Sequence, residues 1–197
     1  MIQLPYLGSR QIAGWADRAL SFCYSYNIQD LVLGQTVDHI AVKLANRNEY
    51  DKYLKLVRDS GHCTSLTYTS MKDEDRDLAT AVLDEPVEIV SSDGVVIGLS
   101  TMLEIMEPRP AKANGKDIIG LEHIEVLVPD HKVIIARLKE GNVPMEEGRN
   151  DYHHTVVVQW IGADGEDGHM EEIKFTERPL SEVIRLEEAD GTVTRLI

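Results

Sequence analysis

The sequence predicts an α+β fold built from two similar halves, and three observations point there. Each half reads as a strand, a helix, then two or three further strands. The opening strands match, Asp38-His39-Ile40-Ala41-Val42 over Glu122-His123-Ile124-Glu125-Val126, at an offset of 84 residues (123 − 39). Between the halves runs Pro108-Arg109-Pro110-Ala111-Lys112-Ala113-Asn114-Gly115, whose prolines and glycine resist regular structure and read as a linker.

The first half follows an amphipathic segment. Ile12, Trp15, Ala16, Ala19, Leu20, Phe22 and Cys23 recur at three- and four-residue spacing, which predicts a helix over 9–27 with Ser9 as cap and Asn27 as stop. Residues 37–44 alternate as a strand, with Val37, His39, Ala41 and Lys43 on one face and Ile40, Val42 and Leu44 on the other. Asn46 caps a helix over 47–60 that buries Tyr50, Tyr53, Leu54 and Val57 and ends at Ser60-Gly61. Leu66-Thr67-Tyr68-Thr69 is β-rich, and the charged run 72–84 reads as a solvated segment. Strands over 86–92 and 95–105 flank Ser92-Asp93-Gly94, a hairpin signal.

The second half repeats the order. Leu121–Val128 is a strand of the same pattern as 37–44, and Asp130 caps a helix that stops at Gly141. Residues 155–161 form a strand, and the acidic, glycine-rich turn 162–168 leads back into Glu171-Glu172-Ile173-Lys174-Phe175. Pro179 opens an amphipathic helix over roughly 180–189, and Asp190-Gly191 turns into a short β-prone tail.

Composition narrows the function. Of 197 residues, 43% are hydrophobic, enough for a sizeable core. Asp and Glu total 34 against 20 Lys and Arg, and a net charge of −14 opposes attraction to nucleic acid or anionic membranes. The longest apolar runs, such as Val87-Glu88-Ile89-Val90, fall far short of the ~20 residues of a membrane helix. The N-terminus lacks a secretory pattern, and Cys23 and Cys63 form neither a CxxC pair nor a disulfide framework. These features predict a soluble, acidic protein of a reducing compartment, expected in the cytoplasm. GxSxG, Walker-type and GxGxxG patterns are absent, which removes support for hydrolase, nucleotide-hydrolysing and dinucleotide-binding functions.

The paired acid-His-Ile-x-Val strands, the segment Gly120-Leu121-Glu122-His123-Ile124-Glu125 and the ending Ile173-Lys174-Phe175 before a Pro-led helix resemble the vicinal oxygen chelate superfamily, the glyoxalase/dioxygenase fold, and within it the YecM-like branch. The resemblance implies two βαβββ modules paired into a curved, partly closed mixed sheet around a divalent metal. It places the modules at 36–110 and 118–178, with an N-terminal helical extension over 1–35 and a C-terminal helix and tail over 179–197. It also implies a first-strand ligand from each module, falling on His39 and His123, and a last-strand carboxylate, falling on Glu104 in the first module. In the second module Lys174 stands where a glutamate is expected, and an ammonium opposes a divalent cation.

The residues themselves allow the same chemistry. Two imidazoles and a carboxylate hold Fe, Mn, Ni, Co or Zn and leave positions open for substrate oxygens. Glu125 lies two residues beyond His123, suited to act as replacement ligand, orienting partner or general base, and Glu172 is a further oxygen donor. Lys43 and Lys174 are candidates to hold an anionic group. The resemblance implies a small-molecule ligand or substrate and the activity of an isomerase, lyase or dioxygenase on a substrate with vicinal oxygens, carried by a monomer or homodimer. The rival is a non-catalytic binding module in which Lys174, paired with Glu104 or Glu125, replaces the metal by a polar network. His153 and His154 are adjacent and point to opposite strand faces, so that either one lines the cavity or both are rim residues, while His62, His131 and His169 sit near element ends and read as exposed. Cys23 reads as core and Cys63 lacks the cationic neighbours of a reactive thiolate.

Overall fold

The computed structural model describes residues 7–71, 76–108, 120–149, 152–161, 170–191 and 193–196. Helix α1 spans Ser9–Ser25 and buries Ile12, Trp15, Ala16, Ala19, Leu20 and Cys23. Its cap is Gly8 rather than Ser9, and the chain reverses at Asn27, which adopts φ 54°. A 3-10 turn at Gln29–Leu31 leads into the first module. That module runs β1 (Thr36–Lys43), α2 (Arg47–Asp59), β2 (Cys63–Met71), β3 (Arg76–Val90) and β4 (Val96–Met106). The second runs β5 (Gly120–Leu127), α3 (His131–Glu140), β6 (Met145–Arg149), β7 (His154–Ile161) and β8 (Met170–Thr176). Helix α4 (Leu180–Asp190) and a short β9 (Val193–Arg195) close the described chain.

Helix boundaries follow the capping chemistry that the sequence carries. The Asn46 side chain accepts the Glu49 N–H at the start of α2, and Asp130 accepts the Lys132 N–H at the start of α3. Gly61 and Gly191, both at positive φ, turn the chain out of α2 and α4. Between β3 and β4, Gly94 adopts φ 86° and donates its N–H to Ser91 O, the predicted hairpin turn.

The described strands form one mixed sheet ordered β6-β7-β8-β5-β1-β4-β3-β2-β9. Within each module the first and last strands pair in parallel, β1 with β4 and β5 with β8, whereas β1 and β5 meet antiparallel at the centre. A twofold relation at that seam carries His39 onto His123 and each βαβββ module onto the other. The strand order has β6 and β9 at its edges, so the described strands do not form a closed barrel. One face carries Ile40, Val42, Leu103, Ile105, Ile124, Val126, Ile173 and Phe175, all fully buried in the core that also takes in the α1 stripe. The acidic turn 162–168, most of the linker 108–115 and His169 lie outside the described residues.

Two elements depart from expectation. Of the run read as solvated, Arg76–Asp84 belongs to β3 and buries Ala79, Ala81 and Leu83. The charges of 72–77 hid the alternating Leu78–Leu83 stretch that pairs β3 with β2 and β4. Strand β6, Met-Glu-Glu-Gly-Arg, carries no apolar alternation because it is a largely exposed edge strand paired on one side to β7.

Candidate functional site

The central seam contains two β-bulges related by the twofold. Val37 pairs with Val126 and His39 with Glu125, which leaves Asp38 as an extra residue on β1. Ala41 pairs with His123 and Val42 with Leu121, which leaves Glu122 as the extra residue on β5. A bulge breaks the two-residue alternation and re-aims side chains, so each acid comes to lie beside the histidine that follows it. Asp38 Oδ2 is 3.0 Å from His39 Nδ1, and Glu122 Oε2 is 3.3 Å from His123 Nδ1. The bulge carbonyls are satisfied from outside the seam, Asp38 O by the Ser100 hydroxyl at 2.7 Å and Glu122 O by the Trp15 indole N–H at 3.4 Å.

With Nδ1 of both rings taken, Nε2 of both faces the shared interior. His39 Nε2 is 3.8 Å from Glu125 Oε2, and His123 Nε2 is 3.7 Å from Glu104 Oε2. The ring centroids are 5.6 Å apart at 75°. Both histidines are essentially inaccessible, at 2% and 0% exposure. One donor atom from each of His39, Glu104 and His123 lies within 4.8 Å of the others, and Asp38, His39 and Glu125 form a second such group.

Electrostatics at the seam is set by burial against close opposite charges. Burial pulls His39 down, but Glu125 and Asp38 outweigh it and its pKa is raised. His123 goes the other way, lowered by burial and then by the Lys174 ammonium. Burial pushes Glu104 up, yet His39 and His123 hold it below the usual range. Against burial, His39 and His153 bring Glu125 down to about 2. Glu122 sits well below the carboxylate range because His123 and Lys43 outweigh burial.

The donor set fits a divalent transition metal. Two imidazole nitrogens and a carboxylate oxygen lie within 4.8 Å of one another, close enough for small side-chain movements to bring them to roughly 2.0–2.2 Å from a common ion. His123 Nε2 is buried without a hydrogen-bond partner and faces Glu104 Oε2 at 3.7 Å. Such an arrangement is unfavourable until a cation or proton lies between them.

The remaining candidates fall around this centre. Lys43 is buried and ion-paired to Glu122. Glu172, beside His123 in register, accepts the Gln159 amide at 2.7 Å and lies 3.7 Å from Lys174 Nζ. Lys174, beside Glu125 in register, takes the place in β8 that Glu104 takes in β4. Its ammonium lies 3.7 Å from Glu172, and Glu104 and Glu125 feel it as a nearby charge rather than as an ion-pair contact among the described residues.

Three residues that spacing alone did not assign to the site also belong to it. Asp38 and Glu122 sit on the unexpected side of their strands because of the bulges. His153 Nε2 is 2.7 Å from Glu125 Oε1 and 2.9 Å from Thr176 Oγ1. The ring of His153 also lines a cleft of about 360 Å³ bounded by His131, Arg149, Tyr152, His154, Arg178 and the acids Glu177 and Glu182. His154 bounds the same cleft, its ring 4.4 Å from that of His131 and its Nε2 3.3 Å from Glu147, so the expected division of the two histidines between opposite faces does not keep His154 out of the cleft. His131 is buried, not exposed: its Nε2–H donates to Phe175 O at 3.0 Å, because α3 docks its first turn onto β8.

No protein family model matches this chain, and no curated protein matches it in sequence. Among solved structures, the Streptomyces coelicolor methylmalonyl-CoA epimerase in complex with 2-nitronate-propionyl-CoA aligns at TM-score 0.43 and 17% identity, over 74% of this chain and 99% of that one. The Mycobacterium tuberculosis methylmalonyl-CoA epimerase aligns at TM-score 0.45 and 11% identity, over 77% and 93%. A variant of 4-hydroxymandelate synthase from Streptomyces coelicolor aligns at TM-score 0.39 and 12% identity, over 78% of this chain and 54% of that one.

Proposed function

We propose that this chain holds a divalent metal ion through His39, His123 and Glu104 and uses it on a small molecule with neighbouring oxygens. The observation that supports this most directly is the pair of bulged acid–histidine units, which leave two Nε2 atoms and Glu104 converging on one buried point. The charge balance agrees. Asp38, Glu104, Glu122 and Glu125 crowd the seam, while Lys43 is occupied by Glu122 and Lys174 lies 3.7 Å from Glu172.

When bound, such an ion polarises a substrate oxygen and stabilises the negative charge that builds on it. The chain supplies the rest. Glu125 stays ionised through the neutral range and holds His153 by a 2.7 Å contact. His153 touches both Glu125 and the cleft, which suits it to exchange a proton with a ligand or solvent there. Glu172, steadied by Gln159, is the other carboxylate within the site, and Lys174 offers an ammonium to an anionic group. The reaction classes in keeping with this set are isomerisation, lyase chemistry or dioxygenation. Membership of the YecM-like branch belongs to the same reading and draws on the motifs of the first strands and the Pro-led helix α4.

A second reading has one observation in its favour. Lys174 occupies the twofold equivalent of Glu104, so a module whose cavity takes an organic anion without metal keeps the same fold. Elemental analysis separates the two. Protein purified without chelator, then dialysed against Fe(II), Mn(II), Ni(II), Co(II) or Zn(II), is expected to retain one ion per chain. A His39→Ala/His123→Ala variant is expected to retain none. Equal metal content in both proteins, or none in either, favours the second reading.

A further inference from the structure

We propose that the buried Lys43–Glu122 ion pair is a positioning device that fixes which nitrogen of His123 carries the proton. The inference rests on the metal reading for its purpose but not for its test. A carboxylate only accepts hydrogen bonds. Glu122 Oε2, 3.3 Å from His123 Nδ1, therefore requires the proton on Nδ1 and strips it from Nε2, the atom that faces Glu104. The other carboxylate oxygen, Oε1, is held by Lys43 Nζ. The bulge at Glu122 brings that side chain to the histidine, and the Trp15 indole on α1 holds the bulge carbonyl. An imidazole oriented in this way offers a bare nitrogen to a cation, and such supporting partners set both ring angle and ligand basicity.

Asp38 differs from Glu122 in one respect that makes the proposal testable. Both of its bonds fall on one oxygen: Oδ2 lies 3.0 Å from His39 Nδ1 and accepts the Leu180 N–H at 3.0 Å. An amide at position 38 can place its carbonyl oxygen there and keep both contacts. At position 122 it cannot do so. Lys43 is a pure donor, so the amide oxygen must face it. The amide NH₂ then faces His123 Nδ1, and the ring is forced to carry its proton on Nε2, where it cannot ligate.

The test uses Glu122→Gln, Asp38→Asn and the double variant Glu122→Gln/Lys43→Met. Metal-free protein labelled with ¹⁵N is studied by two-bond ¹H–¹⁵N correlation at a pH where the rings are neutral. The wild-type and Asp38→Asn proteins are expected to show His123 with its proton on Nδ1, and Glu122→Gln with the proton on Nε2. Removing Lys43 frees the amide to turn, so the double variant is expected to return the proton to Nδ1. Zn(II) affinity, read by competition with a chelating dye, is expected to fall roughly 10–100-fold in Glu122→Gln, the usual range for loss of such a partner, and to recover in the double variant. Wild-type His123 protonated on Nε2, or a Glu122→Gln ring that keeps its Nδ1 proton, overturns the proposal. Should Glu122→Gln fail to fold, the wild-type spectrum still decides it. A wild-type chain with the expected tautomer that takes up no metal overturns the metal reading alone.

Discussion

Glu104 and Lys174 are twofold equivalents with opposite charge. Glu104 pairs with Ala41 across β4 and β1, and Lys174 pairs with Glu125 across β8 and β5, so the two modules contribute a carboxylate and an ammonium to matching positions. The consequence is a centre with carboxylate ligation from one module and a cation beside the histidine of the other, where Lys174 helps to lower the His123 pKa.

Replacing that ammonium is therefore expected to strengthen metal binding. Lys174→Glu removes a like charge and adds an oxygen donor, and Zn(II) or Ni(II) affinity is expected to rise about tenfold or more, equivalent to ~1.4 kcal/mol. The metal-free variant places a third carboxylate beside Glu125 and Glu172, so its thermal midpoint is expected to drop. Titration calorimetry and thermal melts with and without metal measure both effects. Unchanged affinity would mean that Lys174 does not face the ion.

The seam also tolerates little added volume. A Cβ built on Gly98 of β4 would lie 2.4 Å from Val37 Cγ2 and 3.2 Å from its Cβ. Val37 is buried and β-branched, so its rotamer has little room to give. Gly98→Ala is expected to cost about 1–3 kcal/mol by overpacking. Val37→Ala in the same background is expected to recover part of that loss. Additive losses in urea unfolding of the two single variants and the pair would show that the contact is not the cause.

The thiols give a pH-dependent readout. Burial pushes Cys23 up to about 12 and raises Cys63 as well, though Cys63 is only half-buried. Because the thiolate is the nucleophile, a raised pKa keeps both thiols protonated at pH 8 and slows alkylation. Iodoacetamide on the folded chain is expected to label Cys63 first and leave Cys23 untouched, with both labelled in urea. Mass spectrometry of native protein showing rapid Cys23 alkylation at pH 8 contradicts the burial of the α1 stripe.

Much of this architecture is legible in the amino-acid order. The matched strands at 37–44 and 121–128, the caps Asn46 and Asp130 and the Asp93-Gly94 hairpin are local signals, each decided by a few neighbouring residues. What escaped was non-local. Alternation assigns Asp38 and Glu122 to the faces opposite their histidines, and only the β1–β5 register creates the bulges that bring them back. Lys43 looked like a ligand for an anion because its partner Glu122 is 79 residues away and on the unexpected side. His153 pairs with Glu125 only because β7, β8 and β5 are neighbours in the sheet, an order set by tertiary pairing. The first half of β3 was hidden by the charges at its start, although its second half lies in the strand read over 86–92, and β6 was hidden by the polarity of an edge strand.

Metal occupancy is expected to be read directly in stability. A ligand that binds only the folded chain contributes about 2.7 kcal/mol when its free concentration is 100 times Kd. For a chain of this size that corresponds to a rise in Tm of roughly 5–10 °C. The sign follows from the site: Glu104 and the unpartnered Nε2 of His123 face each other across 3.7 Å, and a bound ion satisfies both only in the native state. EDTA is therefore expected to lower the midpoint, and re-addition of Zn(II) to restore it. The His39→Ala/His123→Ala protein is expected to melt at one temperature under both conditions, because the remaining carboxylates cannot hold the ion alone. Lower pH works against the ion, since protons compete for the same imidazole nitrogens, and the EDTA-sensitive increment is expected to shrink as the solution is acidified. An increment that survives loss of both histidines would place the ion elsewhere in the molecule.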